Sequence, residues 1–277
     1  MNTFNAIFNA IFDGLLGWFG AASAWVDIMF WSILGGIVAL LVYKTISNQA
    51  GIEKAKNDIK VHLMEIRLFQ DDILGVFTST GKILLKNAMY LGHNILPMVV
   101  MFVPMMAILF QLEANYAFAP IDPGTTTLMT LEVDRTVAGR DDLDTQDITI
   151  NAPPGVVVMA SVPAPDSIAW QLLFEQPGDH VIEIQLGDEL LTKGVAVGGA
   201  ARKVPYMRTK SWEGYLYPGE ESLPDASSAY EVKLSSNAYP ATDLGWMPGG
   251  EGGVLLTFFF VSIAAGLALK GVFGVTL

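Results

Sequence analysis

Three apolar runs limit what this chain can fold into more than any other feature. The first extends from about Ile28 to Ile46 and is uncharged until Lys44. The second covers Ala88 to Leu112, and the third runs from Val254 to about Val275 with Lys270 near its end. A hydrocarbon core about 30 Å thick needs about 20 residues of helix, and each run is of that order. The first is slightly short, but Lys44 can snorkel to the headgroups while Trp25 and Trp31 lie near the opposite interface. Pro97 and Pro104 interrupt the second, which a membrane helix tolerates. The bland alternative is three buried helices of one soluble core, yet nothing else in the chain is available to cover them. The sequence predicts transmembrane helices over 24–46, 87–112 and 253–277.

The rest of the chain reads differently. Only 16% of all residues are charged, against about 25% in soluble domains. Residues 113 to 251, by contrast, read as ordinary soluble protein, with 21 acids, 8 Lys or Arg and a net charge of −13 against −12 for the whole chain. There is no cysteine, hence no disulfide framework, thiolate metal site or cysteine nucleophile.

Basic residues near helix ends mark the cytoplasmic side. The first 43 residues have none, whereas the connection from Lys44 to Lys86 holds seven. The expectation is an integral protein of the cytoplasmic membrane with its N-terminus and acidic region outside, residues 47–86 inside and the C-terminus inside. Residues 1–22 lack a basic n-region and do not read as a signal peptide. Phe4, Ile7, Phe8, Ile11, Leu15 and Phe19 recur at helical spacing opposite Asn5, Asn9 and Asp13, as in an interfacial amphipathic helix. A plain transmembrane extension is the alternative.

Between the first two spans, Ile52, Ala55, Ile59, His62, Ile66, Phe69, Ile73 and Val76 alternate three and four apart, the seam spacing of a coiled coil. A break at Asp71-Asp72 would fold 47–86 into an antiparallel helical hairpin. A single helix on the membrane surface is the alternative. In the second span Asn87, Tyr90, Asn94, Met98, Met101 and Met105 share one helical face, and His93 sits beside Asn94. Polar residues at membrane depth face protein or water, and methionine suits surfaces that accept varied apolar partners. A groove for hydrophobic segments and ordinary interhelical packing explain this face equally well.

The order of elements resembles the YidC/Oxa/Alb membrane-insertase superfamily: an outer amphipathic helix, a membrane helix, a cytoplasmic helical hairpin, then a Pro-containing membrane helix. Tyr43-Lys-Thr-Ile-Ser-Asn-Gln49 resembles the exit from that family's first core helix, and Arg67-Leu-Phe-Gln-Asp-Asp72 its hairpin tip. Leu96-Pro97 through Pro104-Met105, with Tyr116 to Pro120, resembles its second core helix and outer exit. Three helices with an outside N-terminus are most similar to the archaeal YidC-like proteins and their endoplasmic-reticulum relatives. Ala39 stands where bacterial members carry a groove arginine, and residues 121 to 245 have no counterpart in the family's core. The resemblance implies a client groove of Lys44, Asn48, Gln49, Asn87, Tyr90, His93, Asn94, Met98, Met101 and Met105. The implied partners are the lipid bilayer and hydrophobic segments of nascent membrane proteins, with the ribosome or other membrane subunits beside them, and no nucleic acid.

Residues 116–245 read as an extracytoplasmic β-sandwich-like domain. Strand-like runs occur at Thr125 to Val133, Asp147 to Ala152, Val156 to Val162, Ile168 to Phe174, His180 to Leu186, Gly194 to Gly198 and Ala229 to Ser235. Trp170, Leu172 and Phe174 alternate with polar or smaller neighbours, as do Ile182, Ile184 and Leu186. Pro177-Gly178-Asp179 and Gly187-Asp188 carry turn chemistry. Tyr239 and Trp246 suit an interfacial collar before the third span.

No constellation for covalent chemistry is present. Asp141, Asp142, Asp144 and Asp147 lack the Gly and terminal Glu of a Ca²⁺ loop at their spacings. His62, His93 and His180 fall in three different regions, and there is no GxSxG, Walker A or HExxH pattern. Arg202, Lys203, Arg208 and Lys210 form a weak basic run. The expected fold is thus an α-helical membrane protein with an inserted β-domain, without enzymatic activity, catalytic residues, metal or cofactor. Two functions remain: a YidC-like insertase or intramembrane chaperone in protein transport, or a non-catalytic membrane-anchored scaffold whose outer domain binds a partner or ligand.

Overall fold

The computed structural model describes residues 2–16, 24–136, 144–199, 202–235 and 249–275. Phe19, Asp141, Asp142, Tyr239 and Trp246, singled out above, lie outside the described residues. Helices α1 (Asn2–Phe12), α2 (Ala24–Ile46), α3 (Gln49–Leu68) and α4 (Ile73–Tyr116) come first, and α5 (Glu251–Leu269) comes last. Among the described residues eight strands lie between α4 and α5: β1 (Thr125–Val133), β2 (Thr149–Asn151), β3 (Val156–Ala164), β4 (Ser167–Phe174), β5 (Gly178–Leu186), β6 (Glu189–Val197), β7 (Met207–Thr209) and β8 (Ala229–Leu234). Helices α2, α4 and α5 are long and apolar enough to cross a membrane. The chain divides into two compact units, one of Met1–Met29 with Leu109–Phe258 and one of Phe30–Ile108 with Phe259–Leu277.

In the first unit the strands form two antiparallel sheets, ordered β3-β4-β1-β8-β7 and β2-β5-β6. The period-2 alternation fixes which face is buried. Met129 and Leu131 of β1, Trp170, Leu172 and Phe174 of β4, and Ile182, Ile184 and Leu186 of β5 are all at most 2% exposed and share one core. Met129 pairs with Trp170 on one side and Leu234 on the other, so the largest side chains meet at the centre of the sheet. Gly187 takes the positive φ of 56° that the tight β5–β6 turn requires. Strand β6 starts five residues earlier than the sequence suggested, at Glu189, and β7 was not expected.

The same unit includes α1. Its polar side faces the chain: Asn5 donates to the Gly214 carbonyl at 2.8 Å and Asn9 to that of Pro218 at 2.9 Å. Asn9 Oδ1 accepts from Gln111 at 2.8 Å and from Lys203 at 2.9 Å, and Lys203 also pairs with Asp13. Ile7 and Ile11 are left 54% and 48% exposed. The four-residue basic run is engaged internally throughout. Besides Lys203, Arg202 pairs with Asp179, Lys210 with Asp134, and Arg208 donates to the Thr192 and Glu221 carbonyls. Hydrogen bonds from Lys210 and Thr136 hold Asp134 down at about 2.

In the second unit α3 and the start of α4 form an antiparallel pair. Asn48 caps α3 by accepting from the Gly51 N–H at 2.9 Å, the satisfaction a first helical turn requires. Asp72 begins α4 similarly, accepting from the N–H groups of Leu74 and Gly75. Glu65 accepts from Ser79 at 2.9 Å and Asp58 pairs with Lys86 at 2.8 Å. Seven residues back along α3 thus match seven forward along α4, as an antiparallel register demands. The seam is buried at Ile52 and Ala55 and opens at the tip, where Phe69 and Ile73 are 57% and 72% exposed. The hydrogen bond from His62 and then that from Ser79 hold the Glu65 carboxyl below its usual range.

Candidate functional site

The site is built from the parts of α2, α4 and α5 in the second unit. Gly36 sets the closest approach of α2 to α5: a Cβ there would stand 2.5 Å from the Ser262 carbonyl oxygen and 3.2 Å from the Ala265 Cβ. Small residues are what allow helix backbones to come this near in a membrane. The face of α4 that carries Met98, Met101 and Met105 supplies the third wall.

Together these helices line an open-sided cavity of about 630 Å³, within the range of about 300–1,000 Å³ typical of binding pockets. A helix with side chains is about 10 Å across and rises about 1.5 Å per residue, so this volume corresponds to about one and a half helical turns. Ala39, Met101, Phe102, Met106 and Ile263 give it an apolar lining.

Each of the three helices also brings a polar side chain to the cavity, and protein groups meet the Tyr43, Asn94 and Ser262 side chains. The Tyr43 hydroxyl donates to Asn94 Oδ1, and Asn94 Nδ2 donates to the Tyr90 carbonyl at 2.6 Å. Ser262 turns its hydroxyl back to the Phe259 carbonyl at 3.1 Å. Lys56 of α3 places Nζ 5.9 Å from the centre of the Tyr90 ring, a cation–π distance. Tyr43 also packs with Leu40, Ile52, Val275 and Phe273.

The ten residues proposed from sequence divide evenly. Tyr90, Asn94, Met98, Met101 and Met105 line the cavity. Lys44 and Asn87 are exposed and lie off its wall. Asn48 is spent on the α3 cap. Gln49 donates to Ser47, and His93 lies against Gly51, its Nε2 3.1 Å from where a Cβ would be. Ala39, noted in the sequence only as standing where a groove arginine would be, lines the cavity, and sequence reasoning missed Gly36 and Tyr43 on α2 and Ser262 and Gly266 on α5. The small residues at 262 and 266, four apart on one helix face, were the available signal.

The arrangement contains no nucleophile beside a base. No group of three or more His, Cys, Asp or Glu side chains among the described residues could hold a metal ion. Asp144 caps a short turn by accepting from the Gln146 N–H. What the site offers is apolar, polarisable surface. Compared with known protein families, curated proteins and solved structures, the chain matches none.

Proposed function

We propose that this chain is a YidC-like insertase or intramembrane chaperone that receives hydrophobic segments of nascent membrane proteins in the α2–α4–α5 cavity. The observation that carries the proposal is the cavity's combination of size and lining: about 630 Å³ between three apolar helices, faced by Met98, Met101, Met105 and Met106. Methionine adapts its shape to varied apolar partners, which a receiver of many sequences needs and a fixed helix–helix contact does not. In this reading α3 and the start of α4 lie in the cytoplasm, and the N-terminus and β-sheet region lie outside, as the lysine and arginine distribution favours. No charge lines the cavity, so capture rests on apolar contact rather than on a groove arginine.

The competing reading, a membrane-anchored scaffold, draws support from the Tyr43–Asn94 bond. That bond fills the polar end of the cavity with protein rather than water. A photoreactive residue at Met101 separates the two readings. Newly made membrane proteins should crosslink there during synthesis, and Ala39→Trp, which fills the lining, should suppress the crosslinks without lowering the amount of protein. Crosslinks confined to the chain's own helices or to stable subunits would refute the insertase reading.

A further inference from the structure

The first unit leaves one sheet edge open. Strand β3 is the outer strand of the five-stranded sheet and pairs with β4 alone among the described residues. Every other residue of an outer strand turns its N–H and C=O away from the sheet, so such an edge is a template for a further strand. Among the described residues, the outward backbone groups from Val157 to Pro163 meet no partner. Only at the Ala164 end is a carbonyl met, by the Thr145 hydroxyl at 2.7 Å. The edge of β6 in the other sheet is treated differently. Glu220 accepts from the Gly194 N–H, Arg208 donates to the Thr192 carbonyl, and the Ile121 N–H donates to the Ala196 carbonyl. The remaining outer strands, β2 and β7, are three residues each.

The residues of β3 suit it to pairing. Val-Val-Val-Met-Ala-Ser-Val-Pro-Ala contains no charge, the device that commonly keeps edges apart. From Val157 to Ala164 every residue is exposed, Met159 by 56% and Val162 by 63%. Pro163 withholds one donor, and the bulge at Met159 twists the strand. Pairing runs remain at Val156–Val158 and Ala160–Val162. Charge gathers instead at the two ends. Beside Ala164 stand the exposed Asp144 and Asp147, which flank Thr145, and Asp166 at the β3–β4 turn. Arg135, paired to Asp166, is the one base there among the described residues. At the other end Glu175 is exposed, its N–H bonded to the Gly155 carbonyl at 2.8 Å.

We propose that β3 takes up an extended segment of a second protein as an added strand, one that is apolar and β-branched along its middle and basic at its ends. Strand addition draws affinity from main-chain hydrogen bonds and specificity from side chains. The exposed valines favour apolar neighbours, and the acidic ends favour Lys or Arg flanks. A second copy of β3 is a poorer occupant. Antiparallel self-pairing would set the acids beside Ala164 of one copy against Glu175 of the other. The inference stands apart from the α2–α4–α5 cavity, which lies wholly in the second unit.

The test titrates the purified full chain in dodecyl maltoside into the fluorescent peptide Lys-Lys-Val-Thr-Val-Thr-Val-Lys-Lys. Binding is read by anisotropy against protein-free micelles. This peptide should bind about tenfold more tightly than its Glu-flanked counterpart, equivalent to about 1.4 kcal/mol, and the gap should close to about twofold in roughly 0.5 M salt. Pro in place of the central Val removes a ladder donor and should weaken binding at least about fivefold. Met159→Lys with Val162→Lys, both at exposed positions, should weaken the basic peptide about tenfold while melting stays within about 2 °C. Equal binding of the basic and acidic peptides by the unmodified protein overturns the proposal and requires no variant to fold. Undiminished binding of the Pro peptide overturns it too, as does no saturable binding up to about 1 mM. Unchanged binding by the double variant has the same consequence. A dimer of the chain that the double variant dissociates would assign the edge to a second copy and overturn the stated occupant.

Discussion

Replacing Glu220 by Ala removes the counter-charge of a lysine that is wholly buried. The Lys193 side chain on β6 is 0% exposed. Its Nζ donates to Glu220 Oε2 and the Pro205 carbonyl, both at 2.5 Å, and to the Gly194 carbonyl at 3.1 Å. Glu220 Oε1 also accepts from the Gly194 N–H at 2.6 Å. The substitution thus strands an ammonium and a backbone donor together. Breaking a buried pair from one side costs about 3–5 kcal/mol. Glu220 is itself 17% exposed, so some water can enter, and the expected loss is about 3 kcal/mol. For a unit of this size each kcal/mol is worth about 2–4 °C, so melting should fall by roughly 6–12 °C. Lys193→Met removes the charge and leaves Glu220 paired to Gly194, so it should cost less than half as much.

The pH dependence has a definite sign. Burial holds the Lys193 ammonium below the ordinary lysine range, and the attraction of Glu220 only partly offsets this. The unfolded chain therefore keeps that proton more tightly, and stability rises with pH below the ordinary lysine value. Without Glu220 the folded value drops further, so the variant's deficit should shrink as pH rises toward the ordinary lysine value. Circular dichroism melts of the full chain in detergent measure both effects. The reasoning is wrong if the variant melts within about 2 °C of the parent at pH 7, or if its deficit grows with pH.

Gly36→Val would put a Cβ 2.5 Å from the Ser262 carbonyl, which must move backbone. Overpacking of this kind costs about 1–3 kcal/mol, read as earlier loss of helix content in SDS titrations. Gly92→Val, where nothing stands within 4 Å, is the matched control and should change little. For orientation, single cysteines at the exposed positions Thr80 and Ala226 should react differently with an impermeant maleimide in intact cells. Ala226→Cys should label and Thr80→Cys should not, and the reverse pattern would invert the proposed topology.

The membrane helices were legible because length and hydropathy are summed over about 20 residues, which no single side chain can overturn. Strands β1, β4 and β5 were legible by strict alternation. The start of β6 was not, because Lys193 occupies an inward position that the pattern reserves for apolar residues. Its partner Glu220 is 27 residues away, beyond any local window. The methionine face of α4 could be read from its spacing of three and four, but the same reasoning extended it to Asn87. An α-helix drifts about 20° per heptad from a 3.5-residue repeat, and the cavity wall ends at Tyr90. The opposing walls depend on Gly36 and Ser262 meeting across 226 residues of chain, a pairing made in three dimensions alone.

The hydrogen bonds of the first unit bear on how the inserted β region relates to the ends of the membrane helices. Its boundaries are not those of the strands. The Val204 N–H donates to the Ala114 carbonyl at 3.0 Å, and Tyr217 reaches Glu251. Tyr116 donates to Asp27 at 2.5 Å, and Asp27 is 0% exposed with its other oxygen unpaired among the described residues. Ends of α2, α4 and α5 therefore satisfy buried groups shared with the strands and with α1. An unpaired buried polar group costs about 1–3 kcal/mol. Breaking several of these bonds at once would remove much of the roughly 5–15 kcal/mol that holds a domain folded. Strands and helix ends are better regarded as one folding unit than as a soluble domain on tethers. Movement of any one helix end would then be resisted by the sheet core.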